Sequence, residues 1–544
     1  MDFKEEIIKS LKKEIKQEIT LEIPPDNNLG DFAFPCFSLA KIYKKNPNEI
    51  SLELSKKIKS KYFSVVANGS YLNFFLNKEI FSELTLKDIL KEKKINYGKN
   101  KTIAIDMSSP NIAKPFGIGH LRSTIIGNSL ANIFSELGYK IIKINYLGDW
   151  GTQFGKIIAG YKKFGNEKEL KKDPINHLLD IYVKANKEEY EDEARLWFKR
   201  LEQGDKEALK LWKKFRDLSL IEFNKIYKTL NIKFDFISGE SLYNKKTKEV
   251  VNVLNKKNLI KESDGALIIN LEKYDLGVCL IQKKDDTTLY STRDMAAAID
   301  RYKKYKFSKM IYEVGSEQKL HFKQVFKVLE LIGYDWAKNC VHVDHGLYLG
   351  KDGKKFATRK GKTVFMKDVI NETIELAKQI IEKKNPKLKN KEEIARKIAV
   401  SAIFYGDLKN NRINDIIFDI EKFLDFEGDT GPYLLYSYVR ANSILKKANK
   451  ANKFKIKNIS EKEFLLIKKL SQFNDVLINS SEHMSPSILA NYIFDLAQLF
   501  NEFYHSSQVI GSEKEDFLIN LVLAFKNTIG KCLNLLGIET IEKM

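Results

Sequence analysis

Ser108-Ser109-Pro110-Asn111-Ile112-Ala113-Lys114-Pro115-Phe116-Gly117-Ile118-Gly119-His120-Leu121-Arg122-Ser123-Thr124 is the stretch whose reading decides the fold. An apolar run before it predicts a strand over Thr102 to Met107, and the residues after it predict a helix. Leu121, Ile125, Ser129, Leu130, Ile133, Phe134 and Leu137 recur with the spacing of one buried helical face. A turn at Gly138 leads to a second predicted strand, Ile141 to Tyr146. Such a strand, helix, strand unit brings the helix N-terminus to the carboxyl end of a parallel sheet. The unpaired amides and partial positive charge there favour phosphate groups. Gly117 and Gly119 let a ligand approach the backbone closely. The stretch reads as a nucleotide site in an α/β domain.

A chain of 544 residues with 43% hydrophobic content has material for two to four domains with ample cores. It contains no run of about 18 apolar residues, which excludes a helical membrane protein. The start, Met1 to Glu14, mixes acids and bases as an amphipathic helix does, and a cytoplasmic location is expected. Cys36, Cys279, Cys340 and Cys532 lie far apart with no Cys-x-x-Cys, so neither zinc nor a disulfide framework is expected; they read as buried small hydrophobes. The formal charge is +21, from 93 basic against 72 acidic residues. A polyanionic partner such as nucleic acid accounts for it, and so, equally, does a Lys-rich compositional bias.

Along the chain, residues 1–97 read as a small α+β module. Residues 98–365 read as the nucleotide-binding region, with a charged helical insertion around 160–262 that carries no catalytic pattern. From 366 to 544 amphipathic helices dominate. Phe32, Phe34, Phe74 and Phe75 in the first module suit stacking on bases and suit an ordinary core equally well. In the last region Tyr433 and Tyr436, at helical spacing, read as packing residues.

Residues 108–124 closely resemble the ATP signature of class I aminoacyl-tRNA synthetases, and specifically of the arginyl enzymes. The second Gly-His is kept as Gly119-His120, while the first position of the usual His-x-Gly-His is Gly117. Lys354-Lys355-Phe356-Ala357-Thr358-Arg359-Lys360-Gly361 resembles the family's second ATP motif, departing from it at Phe356 and Ala357. Tyr290-Ser291-Thr292-Arg293-Asp294 and Gly315-Ser316-Glu317-Gln318 resemble its amino-acid pocket; Phe426 to Arg440 and the terminus Leu535 to Met544 resemble its anticodon-binding domain.

The resemblance implies an N-terminal module touching the tRNA elbow, a Rossmann-like class I catalytic domain with a parallel sheet, and an all-α anticodon-binding domain. It implies an arginine–tRNA ligase using L-arginine, ATP with Mg²⁺, and tRNA(Arg), acting as a monomer with no membrane partner. His120, Lys114, Arg359 and Lys360 take catalytic roles in this reading. Pro115, Phe116, Gly117, Gly119, His120 and Lys355 bind ATP, and Asp106, Asn111, Tyr290, Asp294 and Gln318 bind arginine. Asp106 stands where the family often has Glu, so its reach is shorter. Flexible Lys and Arg groups suit this chemistry, because they follow charge as it develops on an α-phosphate. Two other classes remain open: a nucleotidylyltransferase for a smaller substrate, and a non-catalytic tRNA-binding relative.

Overall fold

The computed structural model describes residues 3–91, 93–114, 116–284, 289–354, 364–448 and 454–544. They pack as two units, each assembled from separate stretches of chain.

The larger unit comprises residues 94–439, 475–494 and 530–544. Its centre is a parallel five-stranded sheet of β1 (Thr102–Asp106), β2 (Lys140–Leu147), β3 (Phe236–Gly239), β4 (Lys309–Gly315) and β5 (Cys340–His345). The order across the sheet is β5-β4-β1-β2-β3. The chain therefore runs outward from β1 in one direction and restarts at β4 on the other side. In an open α/β sheet, ligands bind in the crevice at the carboxyl ends of the strands where the order reverses, here above β1 and β4.

Helix α1 (Gly119–Glu136) connects β1 to β2, and Leu121, Ile125, Leu130, Ile133 and Phe134 are buried along it, as their spacing predicts. Five helices follow β2, ending with α2 (Lys206–Thr229); β3 comes next, inside the stretch read as a helical insertion. An antiparallel sheet of Lys261–Ser263, Ala266–Asn270 and Val278–Gln282 precedes α3 (Tyr290–Tyr305), and α4 (Lys319–Ile332) connects β4 to β5. One face of the sheet buries Ala104, Ile144 and Met310 against Met295, Ala298, Val325 and Leu329 from α3 and α4.

A further helix, α5 (Lys391–Leu408), is tied to α1 through buried charge. Arg122 Nε lies 3.1 Å from Asp407 Oδ2, with both side chains about 1% exposed. The guanidinium also donates to the carbonyls of Asn414 (2.8 Å) and Arg412 (3.2 Å), and Tyr348 donates its hydroxyl to Asp407.

The smaller unit comprises residues 1–93, 440–474 and 495–529. Its antiparallel sheet places Tyr71–Leu76 between Phe32–Pro35 and Phe63–Asn68. Phe34 and Phe74 are core residues there, while Phe32 and Phe75 are half-buried. Asp31 accepts a hydrogen bond from the Leu76 amide and pairs with Lys468 at 2.6 Å. Phe500 stacks flat on Phe525, with centroids 3.7 Å apart. Tyr438, in the larger unit, is buried, and Tyr436 is exposed. All four cysteines are buried free thiols. Among the described residues no helix is long and apolar enough to cross a membrane.

Removing one partner of a buried ion pair strands the other, at a cost of about 3–5 kcal/mol. Asp407→Ala is expected to destabilise the protein on that scale in chemical denaturation. Arg122→Met combined with Asp407→Leu, which removes both charges, is expected to lose much less.

Candidate active site

The loop joining β1 to α1 has an unusual backbone. Ser108, Ser109 and Ala113 hold φ of 75°, 47° and 56°, a region that side-chain-bearing residues seldom occupy. Hydrogen bonds pin it on both sides. The Ser108 amide donates to Ser123 Oγ (2.9 Å), whose hydroxyl donates to the Glu313 carbonyl (2.6 Å), so β1, α1 and β4 are joined at one point. Ser108 Oγ lies 2.8 Å from both Thr124 Oγ1 and Tyr227 OH, and Asn145 Nδ2 donates to the same phenol at 2.9 Å. The Ala113 amide donates to Ser219 Oγ at 2.9 Å.

Tyr227 and Ser219 belong to α2, in the region read as carrying no catalytic pattern. With Phe215 and Phe223 they form a buried stripe at every fourth residue. That periodicity is visible in the sequence, but on its own it signals only a packed helix face. Their hold on the loop was not legible there.

Asn111 and Gly148 form a parallel bridge, and their neighbours close it with Ile112 N–H to Gly148 O (3.2 Å) and Gly148 N–H to Pro110 O (3.1 Å). A Cβ on Gly148 would fall 2.0 Å from Asn111 Oδ1, so only glycine lets the exposed Asn111 side chain lie where it does.

At the start of α1, Gly117 forms an antiparallel bridge with Phe365. Ile118 N–H donates to Val364 O (3.2 Å), and Met366 N–H to Phe116 O (2.9 Å). The first motif is thus sewn to the segment that follows the second. Lys355, Arg359 and Lys360 of that second motif, and Pro115 of the first, lie outside the described residues. Lys114 sets its ammonium 4.9 Å from the ring centre of Tyr182. Among the described residues nothing lies within 4 Å of where a Cβ on Gly119 would project, so that side of the helix start is open.

His120 is half-buried and sits 5.6 Å, ring to ring, from Phe116. Its Nδ1 is 3.1 Å from the Ser108 carbonyl. A carbonyl only accepts, so Nδ1 carries the proton and Nε2 is left for other partners. Burial holds the imidazole's pKa below its ordinary value, and nearby His345 adds to this. His345 itself goes the other way: burial pulls it down, but the Glu313 carboxylate 2.9 Å away more than offsets that.

Three carboxylates interact near the carboxyl end of β1. Asp106, at the end of β1, is buried, with Oδ2 at 2.7 Å from Arg301 Nη1 and Oδ1 accepting from Ser109 Oγ at 3.1 Å. Burial raises its pKa against the pull of Arg301. Arg301 lies between the rings of Tyr146 (4.9 Å) and Tyr312 (5.7 Å). Asp106, read as a substrate ligand, thus already has a guanidinium from its own chain. Glu240 is pushed up to about 7, by burial first, and pairs with Arg293 at 2.8 Å. Asp294, in the first turn and a half of α3, meets His321 Nε2 at 2.7 Å, and its charge reaches Asp106. Tyr290 opens α3 half-exposed, and Gln318 is exposed in the turn Ser316–Gln318 that leads from β4 into α4. Asp106, Tyr290, Asp294 and Gln318 are therefore carried to one end of the sheet, whereas the Lys114 ammonium rests on an insertion helix. Arg301 and His321, the partners of Asp106 and Asp294, are residues that sequence reasoning missed.

The sign of the His120 shift fixes a pH dependence. A histidine whose folded pKa lies below its unfolded value binds fewer protons when folded, so its contribution to stability is lost as pH falls through about 6.5. His120→Gln is expected to flatten the fall in stability between about pH 7 and 5.5. Urea melts across that range check it, with His345→Gln expected to change the slope in the opposite sense.

A parallel sheet that reverses order above β1 and β4, with an open helix start over the reversal, defines a Rossmann-type nucleotide-binding core. Residues 84–420 match the family described as tRNA synthetases class I (R), catalytic domain. Residues 434–544 match the DALR anticodon binding domain and residues 1–76 the arginyl tRNA synthetase N terminal domain. The sequence is 47% identical to an arginine–tRNA ligase of Clostridium kluyveri and 46% identical to one of Halothermothrix orenii, each match covering the whole of both chains. The solved arginyl-tRNA synthetase of Thermus thermophilus has the same fold, with a TM-score of 0.84 at 25% identity over 99% of each chain. The chain belongs to the arginyl-tRNA synthetase family of class I.

Proposed function

We propose that this chain is an arginine–tRNA ligase: the carboxylate of L-arginine attacks the α-phosphate of ATP, and the terminal adenosine 2′-hydroxyl of tRNA(Arg) then takes the arginyl group. The observation that carries the reading is one crevice with two unlike halves. On one side is the open start of α1 beside His120, suited to phosphate; on the other is Asp294, a carboxylate with no Arg or Lys against it among the described residues. No enzyme nucleophile is required. Catalysis is positioning plus charge stabilisation.

In this reading the ATP phosphates meet the α1 amides, His120 and Lys114, with Lys355, Arg359 and Lys360 closing from the second motif. Phe116, Gly117 and Gly119, with Pro115, line the nucleotide. Nε2 of His120 is the ring atom free to donate once the triphosphate favours its protonation. Asn111, Tyr290, Asp294 and Gln318 receive arginine, while Asp106 helps the pocket with a charge it shares with Arg301. Mg²⁺ is expected with the ATP phosphates, where it would offset their charge. Residues 1–97 contact the tRNA elbow, 98–365 perform the chemistry and 366–544 read the stem and anticodon, in a cytoplasmic monomer. The +21 charge suits the polyanionic partner.

The test is pyrophosphate release and tRNA charging with arginine, ATP and total tRNA. The reading predicts both, with the label on tRNA(Arg). Pyrophosphate without charging would favour a nucleotidylyltransferase, and neither product a non-catalytic tRNA binder. Asp294→Asn and Gln318→Ala are expected to cost about 2–5 kcal/mol in kcat/KM for arginine, because a desolvated guanidinium loses its acceptor. The KM for ATP should stay near wild type.

A further inference from the structure

Of the three carboxylates around the pocket, Asp106 and Glu240 are each answered by an arginine of this chain, Arg301 and Arg293. Asp294 is answered by an imidazole. His321 Nε2 stands 2.7 Å from Asp294 Oδ2, across the gap between α3 and α4. An ionised carboxylate accepts only, so Nε2 carries a proton and donates it in this bond.

The ring is only 9% exposed, and its orientation is fixed by packing: Tyr290 lies 4.7 Å away at 54° and Phe322 at 5.0 Å. One histidine therefore touches two of the residues read as arginine ligands. The same helix starts one residue after Gln318, so α4 sets the position of a third. A guanidinium presents its N–H groups in a rigid planar fork, and an acceptor free to rotate about χ1 and χ2 matches that fork poorly. A donor on one oxygen locks the carboxylate and leaves Oδ1 as the acceptor in a preset plane.

We propose that His321 is a positioning residue for amino-acid recognition: its Nε2–H fixes the Asp294 carboxylate and its ring supports Tyr290, so that both meet the substrate guanidinium already oriented. The inference rests on the reading of Asp294 as an arginine ligand.

Steady-state kinetics of the full-length enzyme test it. His321→Leu fills similar volume without a donor, and is expected to raise the KM for arginine about tenfold or more, the usual scale for losing one hydrogen bond to a charged group. The KM for ATP and the melting temperature should change little. His321→Gln, whose amide nitrogen reaches the place of Nε2, should restore most of the loss, and His321→Asn, one bond shorter, should not. In an Asp294→Asn background His321→Leu should add little, because the group it orients is no longer charged.

A His321→Leu enzyme with wild-type arginine KM, alongside an impaired Asp294→Asn enzyme, overturns the inference and leaves the pocket reading intact. Wild-type arginine KM in Asp294→Asn overturns the pocket reading, and the inference with it. A fall in melting temperature and kcat with arginine KM unchanged makes His321 a packing residue. Should His321→Leu fail to fold, the Gln and Asn variants decide: equal arginine KM in the two overturns the proposal.

Discussion

Everything in the nucleotide half of this protein depends on a loop held in a backbone conformation it would not adopt alone. Ser108, Ser109 and Ala113 all have positive φ, and each such residue costs on the order of 1–3 kcal/mol. A single neutral hydrogen bond returns about 0.5–1.5 kcal/mol. No one bond in the surroundings can hold the loop. The set formed by Ser123, Thr124, Asn145, Ser219 and Tyr227 is of the right total size, and these come from α1, β2 and α2. The distorted loop that leads into α1 is therefore maintained by three elements packed around it.

The same economy governs charge. A pocket for a cationic substrate needs a negative field, yet the crevice also contains Arg301 and Arg293. Each lies against its own carboxylate, Asp106 and Glu240, whereas Asp294 lies against His321. Burying Arg301 against the Tyr146 and Tyr312 rings is tolerable because Asp106 lies against it. The shorter Asp at that position is consistent with a carboxylate that turns to its own chain's guanidinium.

Local pattern made the β1-α1-β2 unit legible, because helical and strand periods switch cleanly on either side of Gly117 to Gly138 and the buried face of α1 is regular. β3 was not legible. Phe236–Gly239 is four residues long and follows the charged Lys233 and Asp235, so neither length nor alternation marks it as a strand. Motif resemblance brought Tyr290, Asp294 and Gln318 to the site, but motifs carry no record of partners distant in sequence. Arg301 opposite Asp106, His321 opposite Asp294 and Tyr227 opposite Ser108 each join residues on different elements, and each looks like an ordinary core or surface residue in its own segment. Lys114 shows the converse: the motif names it, while its ammonium rests on the Tyr182 ring.

The central claim is that α2 braces the signature loop for chemistry. Its most direct test is the single-turnover rate of arginyl-adenylate formation in a Ser219→Ala, Tyr227→Phe double variant, with saturating arginine, ATP and tRNA. Leaving the Ala113 amide and Ser108 hydroxyl without these partners costs about 1–3 kcal/mol. The account predicts a rate lower by roughly tenfold or more with the fold intact. A wild-type rate in that variant would contradict it.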